Sequence, residues 1–167
     1  MDLEIERKFI LKFLPDKEPD DRIFMHQYYC KIDDVWERVR SMTYESTGKV
    51  KHVHTVKTSV SDEYSAAGAN LELEKEISKK EFEEFRKMCY SSEFKGKFIT
   101  KTRHLYKHKD RIWEVDKFHE GCSLIVAEVE IPSMTYSLCV PKFISKCIIY
   151  EVTGIKEFSN KNLSFII

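Results

Sequence analysis

The sequence predicts a mainly β protein of the α+β class. The expected form is an eight-stranded antiparallel β-barrel closed on itself, with a few flanking helices, in one domain over residues 1–167. Eight short segments alternate apolar and polar residues at period two, whereas two segments repeat at helical spacing. Eight strands are about the number that closes into a small barrel able to hold side chains or a ligand. Six of the segments also carry like-signed charges on one face, which suits faces that converge on one space.

In chain order the alternating segments are LEIERKFIL (3–11), MHQYYCKI (25–32), WERVRSM (36–42), KHVHTVKTSV (51–60), NLELEKEIS (70–78), FITKTRHLYKH (98–108), RIWEVDKF (111–118) and LIVAEVEIP (124–132). Polar or glycine-bearing turns separate them, as a meander requires. In SKKEFEEFRKMCYSS, Ser78 and Glu81 make a capping box, and Phe82, Phe85 and Cys89 recur at helical spacing with Met88 beside them. That predicts a helix over about 79–90. In VPKFISKCIIYEV, Pro141 stands at a helix start, with Phe143, Ile144, Cys147 and Ile148 along one side of a second short helix. Thr58 to Asn70, rich in small and polar residues, is expected to be a mobile loop.

Composition narrows the function classes. Lysine plus arginine equal aspartate plus glutamate at 28 each, so no net field draws the molecule to nucleic acid or an anionic membrane. A charged partner must therefore meet a local patch. A 34% charged fraction beside 13% aromatic residues pairs many ions with ample packing material, which places some ions inside. The five cysteines, Cys30, Cys89, Cys122, Cys139 and Cys147, are odd in number, widely spaced and without a CxxC pair, and read as reduced core residues of a cytoplasmic protein. Charges at Asp2, Glu4, Glu6, Arg7 and Lys8 exclude a signal-peptide apolar region, and no apolar run approaches the ~20 residues that cross a bilayer.

The charge pattern carries the chemistry. Glu4, Glu6 and Lys8 alternate in EIERK, Arg38 and Arg40 in ERVRS, and Glu72, Glu74 and Glu76 in LELEKEI. Lys101 and Arg103 do so in TKTRH, Glu114 and Asp116 in WEVD, and Glu128 and Glu130 in AEVE. A sheet with its polar face in water also alternates charge, but such a face mixes signs within a strand. Here single strands carry pure acid or pure base pairs. Two carboxylates about 7 Å apart on one strand face repel by on the order of 2 kcal/mol at an effective dielectric near 20. Repeating that on several strands implies an offset: a divalent cation for the acids and a polyanion for the bases.

These residues resemble the CYTH superfamily, the triphosphate tunnel metalloenzymes, whose hallmark is an N-terminal ExExK strand, here EIERK at 4–8. QYYC (27–30) resembles the second-strand signature, RVR (38–40) the paired arginines, TVKT (55–58) the TxK strand and LELEKEIS (71–78) the ExE strand. ITKTRHL (99–105), WEVDKF (113–118) and LIVAEVEI (124–131) resemble the KxR, WEVDxF and AEIE strands. YEVTGIKEFSNKNLS (150–164) is close to the ending of the short bacterial inorganic triphosphatase branch.

The resemblance implies an eight-stranded tunnel that hydrolyses a triphosphate phosphoanhydride with Mg²⁺ or Mn²⁺, most simply inorganic tripolyphosphate to pyrophosphate and phosphate. It implies catalytic roles for Glu4, Glu6, Lys8, Glu72 and Glu74, and triphosphate binding by Lys8, Arg38, Arg40, Lys57, Lys101 and Arg103. Metal ligation would fall to Glu4, Glu6, Asp116, Glu128 and Glu130. The implied partner is a small-molecule triphosphate, with no nucleic acid or membrane, and a homodimer is allowed. A class IV adenylate cyclase, a thiamine or nucleoside triphosphatase and a non-catalytic triphosphate-binding module share the pattern. For an organic end, Trp36, Tyr106 and Trp113 are the stacking candidates. Three features depart from the family: Asn70 where related sequences often carry arginine, a long connection from Lys57 to Glu72, and the segment from Pro132 to Glu151.

Overall fold

The computed structural model describes residues 2–91, 98–119 and 123–164. Nine strands occur among them: β1 (Asp2–Leu11), β2 (Asp21–Ile32), β3 (Val35–Tyr44), β4 (Val50–Ser59), β5 (Ala69–Ile77), β6 (Phe98–His108), β7 (Arg111–Phe118), β8 (Ile125–Glu130) and β9 (Ile148–Glu151). The helices are α1 (Asp62–Ala66), α2 (Lys79–Ser91), α3 (Lys142–Ser145) and α4 (Asn160–Leu163), with a 3₁₀ turn at Lys156–Phe158. The eight predicted strands are all present. They pair antiparallel in the order β5-β4-β3-β2-β6-β7-β8-β1, and β1 returns to β5 through the register Asp2↔Glu72 to Ile5↔Ala69, closing the barrel.

The two-residue turn between β2 and β3 places Asp33 and Asp34 at φ 46° and 64°, a left-handed pair that matches strand twist and that short polar side chains tolerate. Helix α2 covers the outer face of β2, β3 and β4, where Phe82 packs 4.9 Å from His52 and 5.9 Å from Tyr28. Its capping box forms as predicted: Ser78 N donates to Glu81 Oε2 at 2.7 Å, and Glu81 N to Ser78 Oγ at 3.1 Å.

Two apolar clusters frame the lumen. Outside β1, β6, β7 and β8, Phe9, Trp113, Val115, Ala127 and Val129 pack under Ile144 and Cys147 of the α3 segment. Inside, Ile10, Ile99, Phe118 and Val126 meet Val152 and Leu163 from the C-terminal segment and plug one end of the barrel. Tyr106 and Trp113 are 1% and 0% exposed and belong to the outer core, so neither is available to stack on a ligand.

Three expectations need correction. Thr58 to Asn70 is not irregular throughout: Asp62–Ala66 form α1 and Ala69 begins β5. The helix after Pro141 is only four residues, because Ile148 joins β9 on the edge of β1, a strand that local alternation did not reveal. Cys139 is exposed, whereas Cys30, Cys89 and Cys147 are buried. The fifth cysteine, Cys122, lies outside the described residues.

The free edge of β1 explains the C-terminal EVTG tetrad. Val152 N donates to Lys8 O at 2.8 Å, and Lys8 N donates to Thr153 Oγ1 at 3.0 Å. Arg7 makes two 2.8 Å bonds to Glu151. In the gap between β5 and β9, Glu6 N donates to Gly68 O. Gly68 sits at φ 86°, and a Cβ there would lie 2.1 Å from Glu6 O. A Gly68→Ala variant is therefore expected to lose about 2–4 kcal/mol of stability, from left-handed strain plus a backbone clash, read as a lower denaturant midpoint at unchanged m-value.

Candidate active site in the barrel lumen

Period-two alternation on closed strands delivers side chains inward in layers. β1 contributes Glu4, Glu6 and Lys8, β3 Arg38 and Arg40, β4 Lys57, and β5 Glu72 and Glu74. β6 contributes Arg103, β7 Glu114, and β8 Glu128 and Glu130. Together they line a cavity of about 790 Å³. Of the residues assigned from the sequence, only Lys101 and Asp116 do not line it. They lie beneath its floor at 1% and 0% exposure and pair with each other.

The cations are held in two groups. Lys57 Nζ bridges Glu4 at 3.1 Å and Glu72 at 2.9 Å. Arg40 Nη2 meets Glu74 at 2.6 Å, and Arg38 Nη2 donates to Thr55 Oγ1 at 3.2 Å. Opposite them, Arg103 grips Asp116 with two bonds of 2.8 and 2.9 Å and also contacts Glu114, while Lys8 Nζ meets Glu128 at 2.9 Å. The Nε atoms of Arg38 and Arg40 are buried without a hydrogen-bond partner among the described residues. Both arginines line the lumen, where their guanidinium groups suit an anion.

The electrostatics separate paired from crowded acids. Burial opposes the charge of Asp116, but Arg103 and Lys101 hold its carboxyl below the usual range. Glu128 is likewise held low by Lys8, Lys101 and Arg103, and Glu72 by Lys57 and Arg38. Glu4 is the reverse: burial, then Glu6, pushes it up to about 8 against the pull of Lys57. Glu6 is raised by burial and by Glu128, and its side chain makes no ion pair or hydrogen bond among the described residues. Burial also pulls Lys101 down to about 8, with Arg103 assisting and Asp116 opposing, and it lowers Arg40 to about 10 with help from Arg38.

A pH dependence follows. The folded state raises Glu4 to about 8 and shifts Glu6 in the same direction, so through Glu4 alone it binds more protons than the unfolded chain between about 4.5 and 8. Stability therefore falls as pH rises through that window. His104, held below its ordinary value by burial, works the other way near neutrality, and the paired acids act only below it. Without divalent metal the thermal midpoint is expected to be higher at pH 5.5 than at pH 8, and Mg²⁺ is expected to narrow the difference. A midpoint that rises over this interval without metal would contradict the crowded-acid description.

Among the described residues no three His, Cys, Asp or Glu side chains stand close enough to hold a metal by themselves. The donor chemistry nevertheless fits Mg²⁺ or Mn²⁺, which bind through one or two carboxylates plus substrate phosphates. Glu4, Glu6 and Glu130 are the carboxylates least committed to cations, whereas Glu128 and Asp116 are occupied by Lys8, Lys101 and Arg103. Sequence reasoning assigned no role to Tyr29 and Thr55, which stand inward beside Arg38. Their period-two positions, two residues from Gln27 and from Lys57, were the available signal.

No family model matches the sequence, and no curated protein matches it. Solved structures do. Two crystal structures of NE1496, one of them described as the inorganic triphosphatase NE1496, match at 26% and 27% identity with a TM-score of 0.62. They cover 98% and 100% of this chain and 99% and 97% of theirs. The barrel shares its fold with both. The PH1819 protein from Pyrococcus Horikoshii OT3 shares it at 18% identity over 78% of each chain, with a TM-score of 0.54. No helix among the described residues is long and apolar enough to cross a membrane.

Proposed function

We propose that this protein is a divalent-metal-dependent triphosphatase. It hydrolyses the phosphoanhydride of a triphosphate, with inorganic tripolyphosphate giving pyrophosphate and phosphate. The observation that carries the reading is the convergence of Lys8, Arg38, Arg40, Lys57 and Arg103 with uncommitted carboxylates in one lumen. The full-length likeness to NE1496 supports it.

Phosphoryl transfer asks little covalent chemistry of a protein and much positioning and charge stabilisation. Arg38, Arg40, Lys57, Lys8 and Arg103 line the lumen and would surround the charge of the non-bridging oxygens. Lys101 and Asp116 act from beneath the floor by fixing Arg103. Glu4, Glu6 and Glu130 would hold Mg²⁺ or Mn²⁺, which supplies charge neutralisation and polarises the anhydride. Glu72 and Glu74 accept hydrogen bonds from water and orient it toward the phosphorus. Water's oxygen bonds to phosphorus and gives up a proton to the carboxylate that orients it, the bridging P–O bond breaks, and pyrophosphate departs with the electron pair. The unpaired thiols of Cys30 and Cys147 fit a reducing, cytoplasmic setting.

The test is phosphate release from tripolyphosphate, ATP, GTP and thiamine triphosphate, each with Mg²⁺, with Mn²⁺ and with chelator. Metal-dependent release, greatest with tripolyphosphate, is expected. Tight binding without release from any of them would overturn catalysis and leave a binding module.

A further inference from the structure

We infer that the tunnel continues into a second anion chamber, and that this chamber receives the distal phosphates of condensed phosphates longer than three units. The inference rests on the triphosphatase reading and extends it to chain length. A cavity of about 480 Å³ adjoins the main lumen, and Tyr29, Arg38, Lys57 and Lys161 line both. An anion gripped by Arg38 and Lys57 therefore stands at the junction with room beyond it. This space opens beside the apolar plug, between the ends of β3 and β4 and the C-terminal segment carrying Lys156 and Lys161.

The charge balance of the chamber decides its ligand. Its two acids are already engaged: Asp34 pairs with Lys31 at 3.2 Å, and Glu37 bonds His54 at 2.6 Å. Two of its four cations are not. Neither Lys156 nor Lys161 has a carboxylate partner among the described residues, and Lys156 stands close enough to Lys161 to disfavour its charge. Burial, with Lys31 and Lys156, pulls Lys161 below its ordinary value, as expected of ammonium groups gathered without a counter-ion. An aromatic ligand fits less well, because Lys161 Nζ already lies 5.0 Å over the Trp36 ring. A phosphate chain held by Arg38 and Lys57 at the junction would run its tail toward Lys156 and Lys161.

The experiment compares tripolyphosphate with tetrapolyphosphate and a long-chain polyphosphate, using the whole protein with Mg²⁺ and the variant Lys156→Gln, at a residue that lines the second chamber and not the main lumen. Glutamine removes the charge and keeps most of the stem. The expected result is a KM for the longer chains raised about 10-fold or more in the variant, with the KM for tripolyphosphate changed less than twofold. Calorimetric binding of the same chains should show the same selective loss. Equal effects on all chains, no effect on any, or a wild-type protein that does not take up tetrapolyphosphate would overturn the inference. If wild type and variant bind every chain but hydrolyse none, the triphosphatase reading fails, and the binding ratio still decides the chamber.

Discussion

Replacing Glu6 with glutamine is expected to lower turnover of tripolyphosphate by at least ~100-fold while the barrel stays folded, because an interaction aimed at the developing charge is worth several kcal/mol in the transition state. The structure singles out Glu6 among the acids. It stands between Lys8 and Lys57, which raise its tendency to ionise, and beside Glu128, which opposes it. It holds no ion pair, so its removal orphans no cation. Glutamine preserves its volume and relieves like-charge repulsion. The variant should therefore unfold at an equal or higher temperature than wild type at pH 8, and its metal requirement should rise together with its loss of turnover. Unchanged kcat at saturating Mg²⁺ would remove Glu6 from the catalytic set.

Asp116→Ala should do the opposite, collapsing stability before any rate can be compared. Its carboxylate, 0% exposed, accepts two bonds from Arg103 and pairs with Lys101, itself 1% exposed. Truncation leaves two buried cations with one anchor gone, the situation that costs about 3–5 kcal/mol. Arg103 keeps Glu114 and Glu128, but Lys101 keeps no carboxylate partner among the described residues. Chemical denaturation should give a midpoint lowered accordingly, with partial recovery in Asp116→Ala, Lys101→Met, which removes the stranded ammonium as well. If the single variant loses less than about 1 kcal/mol, the floor is better solvated than its burial indicates.

The contrast between these two acids could not be drawn from their spacing. Glu6 and Asp116 occupy equivalent places in EIERK and WEVD, each on the charged face of an alternating strand. Alternation assigns a face, because a strand's side-chain period is two wherever it lies in the barrel, yet Glu76, on the same face of β5 as Glu72 and Glu74, is exposed and does not line the lumen. Alternation does not assign depth. Depth depends on barrel stagger, which sets Asp116 opposite Arg103 on β6 and opposite Val126 of the apolar plug on β8. The short elements were harder for a related reason. β9 is four residues long and gains its pairing only from the edge of β1, so its local pattern is too brief to distinguish it from the neighbouring helix.

The strand set, the inward charges and the capping box of α2 are written in near-neighbour residues, because alternation and capping are properties of a few consecutive peptide units. Which carboxylates remain open, which cations are already spent on them, and where the tunnel continues beyond Arg38 and Lys57 were decided by residues far apart in the chain. Glu4 meets Lys57, Lys8 meets Glu128, and Lys161 returns from the C-terminal segment to cover Trp36. Coulomb and desolvation energies depend on distance in space and on surrounding dielectric, and both come into being only when β1 closes on β5.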